Sequence, residues 1–199
     1  VPNVAPLVAG VNGPLAAQGT LNQTAAGMAV RVNANGPYSS RASVNGVVTG
    51  DNAAVDFTMN LPNIGAIVPK LSGPVSANGK AAKTPQGWKI DTSGRGPEGT
   101  AATVAGLVGN DGNMNLAMKG NVHLGLAAPF IAPRSLQGVA NFDLALRGPA
   151  GLGALSGTIQ TSNASLSAPT MRVALEAINA NIRLVNSRAE VAVTANATG

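Results

Sequence analysis

Apolar residues in this chain recur at every second position, and that period constrains the fold more than any other feature. Over residues 136–199, Ala140, Phe142, Leu144 and Leu146 alternate with Asn141, Asp143, Ala145 and Arg147. Ile159 is flanked by Thr158 and Gln160. Ile178, Ala180, Ile182 and Leu184 alternate with Asn179, Asn181, Arg183 and Val185, the last being the one apolar exception. Ala189, Val191, Val193 and Ala195 alternate with Glu190, Ala192, Thr194 and Asn196. Successive side chains on a strand point to opposite faces, so each run reads as a strand with one apolar and one polar side. A helix would need apolar residues three and four apart, and these runs do not supply that stripe.

The same period runs through the earlier part of the chain. Met28, Val30, Val32 and Ala34 alternate with Ala29, Arg31, Asn33 and Asn35 until Asn35-Gly36-Pro37 ends the run. Asn45-Gly46 reads as a turn dipeptide. After Gly50-Asp51-Asn52, Val55, Phe57, Met59 and Leu61 alternate with Asp56, Thr58 and Asn60. The alternation lapses over 62–74, where 64–71 reads as a loop or one short helical turn. Trp88 and Ile90 alternate with Lys89 and Asp91 ahead of a glycine-rich turn over 94–99 and a run over 100–108. Gly109-Asn110-Asp111-Gly112 reads as a hairpin loop before Met114, Leu116 and Met118, and Val122, Leu124 and Leu126 follow. The proline-rich piece 127–133 reads as a short helix or a crossover. These runs make about fourteen strands, and their consecutive order favours an antiparallel meander. Gly13-Pro14 and Gly73-Pro74 are each followed by glycine, Gly19 and Gly79, while Gly148-Pro149 has its glycine later, at Gly157. The echo reads as a repeat of irregular length rather than one with a fixed period.

Composition decides what kind of sheet this is. Aromatic residues are 3% of the 199 residues although hydrophobic residues are 45%, so the apolar side is built from Ala, Val, Leu and Ile with few large anchors. Charged residues are 11%, which leaves the polar side to Asn, Ser and Thr. The net charge of +5 is spread from Arg31 to Arg188 without a run. Nucleic-acid binding concentrates such charge and interleaves aromatics for stacking, so no nucleic-acid partner is expected. No stretch of eighteen apolar residues occurs.

Catalytic chemistry finds little to stand on. Cysteine is absent and His123 is the one histidine, so neither a catalytic triad nor a zinc set can be assembled from the usual side chains. The eight acidic residues are dispersed. The glycine order over 148–153 is wrong for a dinucleotide fingerprint, and a turn is the better reading. The chain is expected to be non-enzymatic, with no metal and no cofactor. A membrane-spanning barrel is disfavoured by the lack of aromatic girdles. The remaining question is what a long, one-sided apolar sheet covers. It either closes as a sandwich, barrel or solenoid, or curls into an open trough around something apolar.

The element series LQGVANFDLALRGP followed by LSGTIQTSNASLSAPTMRVALEAINANIRLVNSRAEVAV resembles the repeating pattern of the TamB family, within the AsmA-like superfamily. In that family a strand ending in a Leu-x-Gly-Pro turn precedes a short Leu-x-Gly strand, then two longer strands. Residues 144–149, 155–159, 175–184 and 188–193 match in that order over the last third, with Ala180 where the family often has glycine. The first two thirds share only the texture.

The resemblance implies an all-β fold, a long curled antiparallel sheet forming an open trough (the β-taco) with an apolar interior and a polar exterior. It implies that residues 1–199 are one segment of a much longer periplasmic protein anchored to the inner membrane, with membrane contact only through segments outside this sequence. It further implies phospholipid transport between inner and outer membranes, or support of outer-membrane protein assembly with a BamA-like barrel partner. The groove lining expected from the alternation is Val30, Val32, Val55, Phe57, Met59, Leu61, Met114, Leu116, Met118, Phe142, Leu144, Leu146, Ile178, Ile182, Leu184, Val191 and Val193. The resemblance implies a phospholipid or another apolar client as the occupant. The alternative is a structural or adhesive β-solenoid segment of a secreted surface protein. A solenoid closes its core dry with regular coils, whereas a trough leaves it accessible.

Overall fold

The computed structural model describes residues 13–50, 52–185 and 187–198. The fold is all-β. Thirteen strands occur among the described residues, every described pairing is antiparallel, and by packing the chain divides into two compact units, 1–97 and 98–199.

The first unit is a six-stranded meander of β1 (Ala16–Thr24), β2 (Gly27–Asn35), β3 (Arg41–Thr49), β4 (Asn52–Leu61), β5 (Val75–Thr84) and β6 (Gly87–Arg95). Each strand pairs with its chain neighbours. The second unit holds β7 (Ala101–Gly109), β8 (Asn113–His123), β9 (Ser135–Gln137), β10 (Val139–Pro149), β11 (Leu155–Ala168), β12 (Val173–Val185) and β13 (Arg188–Thr198). Its hydrogen-bonded order is β7-β8-β10-β11-β12-β13, with β9 on β11. Within each unit the first and last strands do not pair with each other among the described residues, so neither closes on itself.

Two kinds of connection join the strands. Tight turns follow β1, β5 and β7, and in two of them a threonine fixes the turn. Thr24 Oγ1 donates to the Gly27 carbonyl (2.7 Å), and Thr84 Oγ1 donates to the Gly87 carbonyl (2.9 Å). Corners containing proline and a single 3-10 turn follow β2 and β6, at Pro37–Ser39 and Pro97–Gly99. The residue after each proline, Tyr38 and Glu98, takes a left-handed conformation with φ of 58° and 55°.

These two corners are sixty residues apart, from Pro37 to Pro97, and so are the elements around them. Gly13-Pro14, β1, β2, the corner and β3 are repeated by Gly73-Pro74, β5, β6, the second corner and β7. The irregular repeat expected from the sequence is therefore regular over its first two copies. A third corner, Gly148-Pro149 with the 3-10 turn Leu152–Ala154, lies between β10 and β11 and departs from that spacing. Asn45-Gly46 lies inside β3 rather than at a turn. The lapse over 62–74 contains the 3-10 turn Ile64–Ala66, and the proline-rich piece contains a one-turn helix, α1 (Ala128–Ile131).

Buried apolar side chains are few. Among the described residues they are Leu61, Leu116, Ala140, Ala164, Ala168 and Ile178. Four of these lie in the part of the second unit where β9 and β10 meet β11 and β12. There Gly138 (φ 120°) links β9 to β10 and lies so close to β11 that a Cβ on it would sit 2.9 Å from Ala164 Cβ and 3.6 Å from Leu124 Cδ1.

Candidate apolar binding face

Antiparallel partners opposite one another point to the same face, so the pairing register shows which residues share a surface. In the first unit one cross-strand row reads Val30, Gly46, Val55, Ala81 and Ile90. The adjacent row reads Val32, Val44, Phe57, Gly79 and Thr92, and the next contains Ala34, Ala42, Met59, Ala77 and Gly94. Leu61, opposite Val75, extends the same face. Val30, Val32, Val55, Phe57, Met59 and Leu61 are thus brought together.

The second unit repeats the arrangement. Val104, Met118, Leu144, Gly157, Leu184 and Ala189 form one row, and Gly120, Phe142, Ile159, Ile182 and Val191 the next. Leu116 faces Leu146, Met114 faces Gly148, and Val193 faces Ala180. Ile178 is buried opposite Ala164, beyond a bulge in β11. Every lining residue expected in this unit therefore occupies one face of it.

Bulky side chains on this face lie across from glycines. Phe57 is opposite Gly79, Phe142 opposite Gly120, Leu116 opposite Gly106 and Leu144 opposite Gly157. A Cβ on Gly120 would sit 2.7 Å from Phe142 Cζ, so the ring lies over the bare backbone of the neighbouring strand. Such pairing fills the gap that a strand glycine otherwise leaves. It also explains which members of the face the sequence hid. After Val75, the residues of β5 on this face are Ala77, Gly79, Ala81 and Lys83, which carry little apolar signal by themselves. Val44 and Val48 of β3 were hidden by the Asn45-Gly46 pair and by Val47 on the other face. Trp88, Ile90 and Ile159, seen to alternate in the sequence, also belong to this face.

Among the described residues of the first unit, this face carries one cation. Lys83 lies opposite Trp88, with its ammonium 5.5 Å from the centre of the indole ring. That geometry lets the charge rest against the aromatic face while its stem covers apolar surface.

The opposite face is polar and self-satisfied. In the first unit Arg31, Asn45, Asp56, Lys80 and Asp91 form a row, in which Arg31 Nε donates to Asn45 Oδ1 (3.1 Å) and Lys80 Nζ lies 3.8 Å from Asp56 Oδ1. In the second, Thr103, Lys119, Asp143, Thr158, Arg183 and Glu190 form the matching row, with Lys119 Nζ 2.9 Å from Asp143 Oδ2. Ser43 and Thr58 hydroxyls share a hydrogen bond of 2.7 Å, and Ser93 Oγ donates to Asn78 Oδ1 (2.6 Å). Depressions of about 390 and 740 Å³ lie one in each unit, the first beside Ser43, Thr58 and Met59 and the second beside Gln160, Asn181, Val191 and Val193. They arise because neighbouring side chains there are short, and they hold no charged constellation suited to catalysis.

No group of three or more His, Cys, Asp or Glu side chains able to hold a metal occurs among the described residues. His123 ends β8, half-buried, with its backbone N–H 3.5 Å from Thr100 Oγ1. Asp111 is held below the usual aspartate range by hydrogen bonds from the backbone and side-chain nitrogens of Asn113 (2.9 and 2.7 Å). This is a turn device at the β7–β8 hairpin, not a site. Comparison with family models, with curated proteins and with solved structures returns no match.

Proposed function

We propose that this chain is a groove segment of a TamB-like, AsmA-like envelope protein, whose apolar face shields phospholipid acyl chains as they pass between inner and outer membranes. The observation carrying this reading is an apolar face that is ordered by the strand register yet left uncovered. Met59 and Trp88 stay exposed on it in the first unit and Val191 and Val193 in the second, and only six apolar side chains are buried among the described residues. Bare apolar surface of this kind marks a binding face rather than a core. Each buried methylene of an acyl chain is worth about 0.8 kcal/mol, so a tail is held without any directional contact. Weak holding of that kind suits passage along the face. In the whole protein this segment lies in the periplasm with an inner-membrane anchor, and the outer-membrane barrel partner is reached through other parts of the chain. Unfolded outer-membrane strands are the second class of apolar client. The role asks for no catalytic group, cofactor or nucleic acid.

The adhesive solenoid accounts less well for the pairing. A solenoid pairs strands between equivalent places in successive coils, whereas here strands pair with their chain neighbours apart from the short β9. The regular sixty-residue spacing is compatible with either reading, and the uncovered face favours the trough.

Mass spectrometry of organic extracts from the purified protein tests the proposal directly, with co-purified phospholipid the expected result. Trp88, the one tryptophan and a member of the apolar face, provides a second readout. Phospholipids brominated in the acyl chain are expected to quench its fluorescence. Protein free of lipid, with Trp88 unquenched, would remove the basis for the transport reading.

A further inference from the structure

The loops after β4 and β8, spanning 62–74 and 124–138, are counterparts in the two copies of the repeat and share a construction the apolar face does not explain. Each is closed at its neck by one backbone hydrogen bond at the equivalent place. Ile64 N–H donates to the Gly73 carbonyl (2.8 Å), and Leu124 N–H donates to the Gly138 carbonyl (2.9 Å). In the first loop Asn63 Oδ1 also accepts from the N–H groups of Gly65 (3.0 Å) and Gly73 (3.2 Å), so both ends are pinned by one side chain. Inside, Val68 N–H donates to the Ile64 carbonyl (2.8 Å) in the first, and Arg134 N–H to the Ile131 carbonyl (3.0 Å) in the second.

What these ordered necks present is apolar. Ile67 is 44% exposed and Phe130 is 55% exposed, and Val68 is exposed beside Ile67. A cation follows each tip, Lys70 in the first and Arg134 in the second, both exposed. Neither loop contains an acidic residue.

We infer that each loop is a contact for an anionic lipid surface, with Ile67, Val68 and Phe130 entering the headgroup boundary and Lys70 and Arg134 meeting lipid phosphates. The chemistry separates a bilayer from a protein partner. One or two bulky side chains per loop fall far short of the roughly 1,000 Å² that a stable protein interface buries. A lipid interface accepts isolated apolar tips flanked by cations, and its negative charge rewards each lysine or arginine. The inference does not depend on the apolar face holding lipid, since the loops act on headgroups of an intact bilayer.

Vesicle flotation of the full 199-residue chain tests it, using phosphatidylglycerol mixed with phosphatidylethanolamine and, separately, phosphatidylcholine alone. The chain is expected to float with the anionic vesicles. Ile67→Ser combined with Val68→Ser, and separately Phe130→Ser, are expected to lower the bound fraction without changing the circular dichroism spectrum. Lys70→Ala with Arg134→Ala is expected to weaken binding to anionic vesicles by about five-fold per cation removed and to leave phosphatidylcholine binding unaltered. Trp88 quenching by monomeric brominated lipid is expected to persist in all of these variants, which separates loss of the loop contact from loss of the groove. Equal flotation of wild type and variants, or no flotation of the wild type, overturns the inference. So does loss of self-association by the tip variants in the absence of lipid, which would assign the tips to a second copy of the chain.

Discussion

Ala164 and Val193 belong to the same unit and the same alternating grammar, yet one is 1% exposed and the other 57% exposed. Ala164 lies where β9, Gly138 and Leu124 close over β11 and β12. Val193 lies on β13, which pairs with β12 alone among the described residues, opposite Ala180. The difference teaches that burial around Ala164 follows from the 124–138 segment folding back over it, not from a second layer of structure. Most of the face has the chemistry of a core without a core's cover.

A charge moved along the face breaks or sharpens that contrast. At Ala164→Asp the carboxylate has no room and no partner, and the expected loss is several kcal/mol, seen as a collapse of the thermal transition. Leu144→Asp sits mid-face and half-buried on β10, where the carboxylate reaches solvent. Its expected cost is about 1–2 kcal/mol with the fold kept, while lipid occupancy falls well below that of Asn141→Asp on the polar face. If Leu144→Asp unfolds the chain as fully as Ala164→Asp does, the face is a closed core and the contrast disappears. If it folds and binds lipid undiminished, transport along this face is refuted.

Val193→Lys is expected to change stability by less than about 0.5 kcal/mol. It should nonetheless lower any concentration-dependent association measured by sedimentation, because a charge on an open edge strand opposes pairing with another chain. Association equal to wild type, or a monomer at every concentration in both, counts against edge-to-edge assembly. The smallest effect belongs to Asp111. Its carboxyl is lowered in the folded chain, so its contribution is present above the unfolded value and is lost as pH falls through the folded one. The protection of the Asn113 amide, taken against intrinsic exchange at each pH, is expected to fall over that acidic range in the wild type and to show no such fall in Asp111→Asn.

The strand period and its two faces were legible from single runs because β2, β4, β8, β10 and β12 carry bulky residues at alternate positions. The strands between them were harder to read for a physical reason. β3 and β5 offer Gly46 and Gly79 where β4 offers Val55 and Phe57, so their apolar character exists only across the pair. The fixed repeat was obscured by divergence within it, since the left-handed corner residue is Tyr38 in one copy and Glu98 in the other. The neck-closed loops left no periodic trace, because their order comes from Asn63 and from backbone hydrogen bonds that no local pattern announces. The apolar face was readable as a list of residues. Its openness was not, because exposure depends on which segment folds back over it.

The sixty-residue copy also works as a unit of measurement. It adds four strands, an even number, so the chain leaves a copy travelling in the direction in which it entered. At about 4.8 Å between neighbouring strands, one copy extends a sheet by roughly 19 Å along its hydrogen-bonding direction. A gene encoding such a protein can lengthen its product by duplicating one stretch in frame, since each new copy brings its own corner and both of its faces. Length then becomes a quantity that evolution counts in whole copies.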